Sequence, residues 1–322
     1  MGDGKCSRRR FIKSGAVGAA ALSVWSGSAA AAVFGAPTGS TERRPEGSPS
    51  PQARTLIPAF SLGAASYTFR EFGLDEAVAM TKRVGLDRIC LKDLHLPLQS
   101  PEAEVMAVAR GIRRAGIIPY ACGVVYMTTA EEVDRAFTYA WDAGMEMIVG
   151  VPNHDLLPHV QKRVAETGIM VAIHNHGPGD RLYPTPKSVY DRVKNLDPRI
   201  GLCLDVGHCR RSGLDPSDEA EAWARRLLDL HLKDVTAASA EGGPVEAGRG
   251  VIDLPRLLRT LVQVGFRGTA SFEYEKDGRD PLPGLAESVG YVRGILAARR
   301  SSGLPWGTEN KGSTPGAGRK RA

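Results

Sequence analysis

No Gly-x-Gly-x-x-Gly follows the first strand-like run, so the sequence offers no dinucleotide site. Its five cysteines, Cys6, Cys90, Cys122, Cys203 and Cys209, show no Cys-x-x-Cys spacing. That excludes a zinc knuckle and a small disulfide framework. Cys90, Cys122 and Cys203 lie inside apolar runs and read as small buried hydrophobes. Collagen-like, coiled-coil and disordered biases are also missing from the overall composition, which is 42% hydrophobic and 24% charged. An excess of charge of either sign is missing from the body of the chain. The net charge of +6 comes from the two ends, with five basic residues against one acidic before residue 37 and four against one after residue 303. The stretch between them is near neutral, which gives no electrostatic footing for a nucleic-acid partner.

What is present begins with an address. Ser7-Arg8-Arg9-Arg10-Phe11-Ile12-Lys13 is a twin-arginine pattern, followed by a stretch rich in Gly, Ala and Ser up to Ala36. Such small residues make a weak permanent anchor. Residues 1–36 are therefore expected to be a signal peptide read by the twin-arginine export machinery, leaving a periplasmic or extracellular protein. Residues 37–55 are rich in Pro, Ser, Thr, Gly and Arg and are expected to be a disordered linker. Residues 301–322 form a basic tail of similar character, which leaves 56–300 for the folded domain.

That domain alternates two kinds of pattern. Apolar strand-like runs cover 62–69, 88–92, 118–125, 147–151, 170–174, 201–206, 228–233 and 269–274. Amphipathic helical runs fill the gaps at 74–84, 101–115, 130–143, 156–167, 186–195, 216–226, 255–264 and 281–299. Pro at the first helical turn after a polar cap, as in Asp215-Pro216, marks several helix starts. Eight strands alternating with eight helices predict an α/β fold, a closed (β/α)8 TIM barrel; a doubly wound open sheet is the competing arrangement.

In such a barrel the reactive groups stand at the C-terminal ends of the strands. Five of the seven histidines fall there: His95, His174, His176, His208 and His231. His174, Asp205, His231 and Glu273 come from four consecutive strands, flanked by apolar neighbours that make a lone ionisable group expensive to bury. A divalent cation relieves that cost, because it takes neutral imidazole and carboxylate together. Each histidine alone also fits a structural imidazole.

The segments Asp205-Val206-Gly207-His208, His231-Leu232-Lys233-Asp234 and Phe272-Glu273-Tyr274-Glu275 resemble the strand ends of the xylose isomerase-like barrel superfamily over about residues 58–298. That superfamily holds sugar isomerases, ketose 3-epimerases, inosose dehydratase-like enzymes and endonuclease IV. The chain is similar in particular to twin-arginine-exported members known broadly as sugar phosphate isomerase/epimerases, whose fifth strand often reads His-Asn-His-Gly-Pro-Glu-Asp. The resemblance implies a metal-dependent sugar isomerase or epimerase, working by proton abstraction next to a carbonyl through an enediolate, with Mn2+, Mg2+, Co2+ or Zn2+ as cofactor. It implies Asp205, His231 and Glu273 as metal ligands. The usual fifth-strand Glu is missing, and Gly179 stands where the nearer relatives hold another Glu. Either His174 completes the site, or Asp180 reaches in, or three protein ligands are joined by water.

Proton transfer would then fall to Glu273 with His174, His176 or Lys233. Lys92, His95, His176, His208 and Arg249 are the candidates for contact with a small carbohydrate substrate. Arg249 lies on the Gly248–Gly250 loop after strand seven, where barrels often hold anions. The same site could serve a keto-sugar or inosose-type dehydratase, or a carbohydrate-binding barrel that has lost catalysis. Barrels of this kind often pair, which keeps a homo-oligomer open as an alternative to a monomer.

Overall fold

The computed structural model describes residues 60–302. The expected signal peptide, the linker and the tail beyond residue 302 lie outside the described residues.

Eight parallel strands close into one barrel, which rules out the open doubly wound sheet. They are β1 Ser61–Ala65, β2 Arg88–Leu91, β3 Ile118–Met127, β4 Met147–Pro152, β5 Met170–His174, β6 Ile200–Asp205, β7 Leu227–Leu232 and β8 Thr269–Phe272. Each pairs in parallel with its neighbours, and β1 closes the ring against β8. Around them lie α1 Leu74–Arg83, α2 Glu102–Arg114, α3 Ala130–Asp142, α4 Leu157–Thr167, α5 Pro186–Val193, α6 Val206–Arg211, α7 Pro216–Ala222, α8 Leu254–Gln263 and α9 Pro281–Ser302.

Alternation within the strands separates two cores. Ile148, Ile173, Leu204 and Phe272 face outward and pack against helix residues such as Val133, Val160 and Leu257. Cys90, Tyr120, Ala121, Met147, Val149, Ala172 and Cys203 fill the barrel interior. All four described cysteines are free and buried, as the absence of paired spacing predicts.

The differences from the sequence reading gather at the C-terminal rim. The first strand ends at Ala65, and Ser66–Phe69 turns into a 3-10 helix. Strand eight stops at Phe272, two residues early, and strand three runs two residues long, to Met127. The helix expected over 216–226 ends at Ala222 and continues as a separate 3-10 turn, Ala224–Arg226. Helix α6 was not expected. It starts directly off β6 because Asp205 caps it, its Oδ1 accepting from the His208 backbone N–H at 2.7 Å. Gly207 lets this turn lie flat on the next strand, since a Cβ there would come 2.7 Å from the Lys233 carbonyl.

A short antiparallel ribbon, Asp234–Val235 with Pro244–Val245, follows β7. The Asp234 carboxylate accepts from the backbone N–H groups of Val235, Gly248, Gly250 and Ile252, which folds the loop carrying Arg249 back onto the barrel.

Candidate metal centre

Ala172, Cys203, Asp229 and Ser271 sit in the barrel interior, so the residue two positions on in each strand faces the same way one layer higher, at the C-terminal mouth. Those residues are His174, Asp205, His231 and Glu273. Ladder pairing sets β5 to β8 side by side, with Asp205 opposite His231 and His231 opposite Ser271. One donor atom from each of the four lies within 4.8 Å of the others, and all four residues are buried. His174 Nε2 is 3.5 Å from Asp205 Oδ2, and His231 Nδ1 is 3.6 Å from Glu273 Oε2.

Local structure fixes the aim of Asp205. Its Oδ1 is committed to the α6 cap. Asn175 grips its backbone from both sides, accepting from the Asp205 N–H at 3.0 Å and donating to its carbonyl at 3.1 Å. Oδ2 is left buried with no hydrogen-bond partner, as are both ring nitrogens of His174 and of His231. Buried polar atoms are nearly always satisfied, and here five unsatisfied ones belong to three residues of one cluster. Donors on a tetrahedral zinc stand about 2.0–2.2 Å from the metal, hence roughly 3.4 Å apart. The 3.5 and 3.6 Å separations match that spacing, so the residues fit a divalent cation.

The fixed charges point the same way. Lys233 Nζ lies 2.7 Å from Glu273, 2.9 Å from Glu275 and 3.4 Å from Asp205. Three carboxylates against one ammonium leave two formal negative charges at the barrel mouth. Burial alone would raise the Asp205 carboxyl, but Lys233, then His208 and His174, hold it well below the usual carboxylate range. Glu273 behaves alike, with Lys233 and His231 overcoming burial. Burial pulls the Lys233 ammonium down, yet Asp205, Glu273 and Glu275 raise it well above an ordinary lysine. His231 is raised too, because Glu273 and Asp229 outweigh its burial. His174 is pushed down to about 3 by burial, only partly opposed by Asp205. It is a neutral imidazole, the form a metal takes.

Residues 69–295 match the sequence pattern described as the xylose isomerase-like TIM barrel. The chain belongs to that family.

Among curated proteins it is 29% identical over 150 residues to the rhizopine catabolism protein MocC of Rhizobium meliloti, covering 42% of this chain and 46% of that one. It is 31% identical over 88 residues to 3-oxo-isoapionate decarboxylase of Pectobacterium atrosepticum, covering 22% and 32%. The match thus spans less than half the length of either relative. Among solved structures, an L-ribulose 3-epimerase superposes with a TM-score of 0.63 at 16% identity, over 79% of this chain and all of that one. The IolI protein, determined with a zinc atom bound, gives 0.63 at 18% identity over 76% and 99%. At these identities the two structures establish the fold alone.

A cavity of about 250 Å3 opens above the four residues of this xylose isomerase-like barrel. His174, Lys233 and Glu273 form its floor, and Tyr67, Lys92, Tyr126, His176 and His208 form its walls. The imidazoles of His176 and His208 both contact that of His174, with centroids 4.4 and 5.8 Å away. Burial lowers both from the ordinary histidine value. Tyr126 bonds His176 Nε2 at 3.1 Å, and Lys92 Nζ donates to the Val124 carbonyl at 2.6 Å. A larger cavity of about 330 Å3 lies at the opposite mouth, near Arg88 and Glu146. Those two charges pair with each other, and none of the four clustered residues lines it, so it has no comparable chemistry.

Three candidates fall outside the cavity. Asp180 does not reach in: its Oδ1 accepts from the backbone N–H groups of Leu182 and Tyr183, closing a turn. His95 is buried behind the rim, with Nδ1 3.0 Å from the Ser66 hydroxyl. Arg249 points away, mostly exposed and paired with Glu287 at 2.8 Å, because the loop bound to Asp234 turns its side chain outward. Sequence reasoning missed Tyr67 and Tyr126. Tyr67 stands just past the end of strand one and Tyr126 in the last residues of strand three, where the strand-end rule applies equally but only acids, bases and histidines stand out in sequence. Gly179, in place of a Glu, has φ +91° and open space around it; a side chain there would strain the backbone.

Proposed function

We propose that His174, Asp205, His231 and Glu273 hold one divalent cation and that the enzyme is a sugar isomerase or epimerase, moving a proton on a carbon next to a carbonyl. The observation that carries this is the buried cluster of two imidazoles and two carboxylates, with the histidine nitrogens and Asp205 Oδ2 lacking hydrogen-bond partners, at the floor of a cavity suited to a small polar molecule. Two imidazoles and two carboxylates suit Zn2+, Co2+ or Mn2+ better than Mg2+, which favours oxygen ligands. The zinc in the IolI structure supports that order.

When bound, the cation would supply Lewis acidity that polarises the substrate carbonyl and acidifies the neighbouring C–H. Lys233, kept protonated by its three carboxylates, is a donor to the oxygen on which negative charge develops. It is no base, which narrows the role expected of it from sequence. Glu273 is engaged by Lys233 and His231 and serves as a ligand. His176 and His208, neutral at the cavity wall, are the groups placed to take the proton from carbon and return it. Return to the other face gives an epimer; return to the neighbouring carbon gives an isomer. The excess of carboxylates over Lys233 at the floor and the outward turn of Arg249 favour a neutral sugar or keto-polyol over a phosphorylated one.

If a β-hydroxyl left that enolate as hydroxide, or if a β-keto acid lost CO2 to form the enolate in place of proton abstraction and the carbon were then protonated, the reaction would be that of a lyase. The match to a 3-oxo-isoapionate decarboxylase is the reason to assay for it. The twin-arginine pattern supports work outside the cytoplasm, on unphosphorylated substrates. The test is incubation of the metal-loaded protein with a panel of ketoses and cyclic keto-polyols in deuterated water. Deuterium at the carbon next to the carbonyl, lost in His176→Gln or His208→Gln, supports the reading. Binding without exchange anywhere in the panel would leave a carbohydrate-binding barrel.

A further inference from the structure

Below the four clustered residues, in the sealed interior of the barrel, lies a carboxylate that the proposed chemistry does not use. Asp229 is fully buried beside Tyr120 and Cys203, in a layer otherwise made of Cys90, Ala121, Met147, Val149 and Ala172. Burying a carboxylate among such neighbours is costly unless it gains a specific partner. Its side-chain donors are the Tyr120 hydroxyl at 3.1 Å and the Cys203 thiol at 3.4 Å, beside the Leu230 backbone N–H. Tyr120 is tied in turn to the Ser271 hydroxyl at 2.7 Å, which fixes the Asp229 side of the layer. The other group facing Asp229 is His231, whose Nε2 stands 3.9 Å from Oδ2.

His231 therefore spans two layers. Its Nδ1 looks up toward Glu273 and its Nε2 looks down toward Asp229. An imidazole serves a metal through one nitrogen only if the other carries the proton, and a carboxylate on that second nitrogen fixes both the tautomer and the ring orientation. We infer that Asp229 is a positioning residue for the metal centre, holding the proton of His231 on Nε2 so that Nδ1 presents its lone pair to the cation. This rests on the metal reading above. It also accounts for a buried acid in the barrel interior, where an apolar side chain would pack at less cost.

The test is the affinity of the full chain for Zn2+, measured by competition with a chromophoric chelator, in wild type and Asp229→Asn. The amide keeps the volume and the Tyr120 contact but removes the charge. The expected result is binding weaker by about 10–100-fold, while the metal-free variant unfolds at no lower temperature than wild type. Equal affinity in the two proteins would overturn the inference and leave the metal reading standing; no Zn2+ binding by wild type would overturn both. A second measurement needs no variant, a crystal structure of the Zn2+-loaded wild-type protein. Zinc on Nδ1 of His231, with Nε2 within hydrogen-bond distance of Asp229, supports the inference. Zinc on Nε2 refutes it.

Discussion

Replacing Lys233 by Met removes the one ammonium among Asp205, Glu273 and Glu275 while keeping most of the side-chain volume. The Lys233 side chain is only 4% exposed and its nitrogen touches all three carboxylates. Breaking a buried pair by deleting one partner costs about 3–5 kcal/mol, because the stranded charge has no water to turn to. For a domain of this size each kcal/mol moves the unfolding midpoint by about 2–4 °C, so the metal-free variant should melt roughly 6–20 °C below wild type. A divalent cation supplies the missing positive charge. With saturating Zn2+ the gap between variant and wild type should therefore shrink to a few degrees, and the variant should gain more from metal than wild type does. The assay is thermal unfolding of both proteins followed by circular dichroism, once with EDTA and once with metal. A penalty of the same size with and without metal would refute the charge-balance reasoning and make Lys233 a packing residue.

Further outcomes follow from the same geometry. Asn175→Ala removes both contacts that clamp the Asp205 backbone and should cost about 1–3 kcal/mol in urea unfolding, together with weaker metal binding in a chelator competition. Arg249→Ala should leave turnover unchanged and stability within about 1 kcal/mol of wild type, since its partner Glu287 is an exposed surface group; a large rise in KM would restore the anion-binding role. His174 in the folded protein stays neutral down to about pH 3, whereas an unfolded histidine takes up a proton below about pH 6.5. The unfolded state then binds more protons between those values, so His174 contributes stability above pH 6.5 that is lost as pH falls, by at most about 1.4 kcal/mol per pH unit. The metal-free His174→Gln protein should show a shallower fall in unfolding free energy from pH 7 to 5, and an unchanged slope would contradict the burial of a neutral imidazole.

The barrel was legible because its periodicity is strong: eight apolar runs, each bounded by a helix with its own cap or glycine stop. The four clustered residues were legible for a related reason. An ionisable residue at the end of an apolar strand is conspicuous, and the closed barrel brings four such ends together whatever the loops do. Loops hid the rest. Nothing in the spacing of Gly248-Arg249-Gly250 shows that Asp234 gathers that loop by its backbone and turns Arg249 out. Asp180 has the right chemistry but spends its oxygen on two neighbouring amides. Helix α6 escaped notice because Asp205 ends a strand and starts a helix at once, with one oxygen for each duty. Asp229 carries no local signal, for a carboxylate facing into a barrel looks in sequence like one facing solvent.

Metal content of the purified protein should be measured by mass spectrometry beside Asp205→Ala, Glu273→Ala and the double variant, with circular dichroism to verify that each is folded. About one divalent metal per chain in wild type, reduced in each single variant and absent from the double, is the predicted result. A folded wild-type protein that neither carries a metal nor takes one up after reloading would contradict it, leaving the buried His174, Asp205, His231 and Glu273 as a structural network balanced by Lys233 alone.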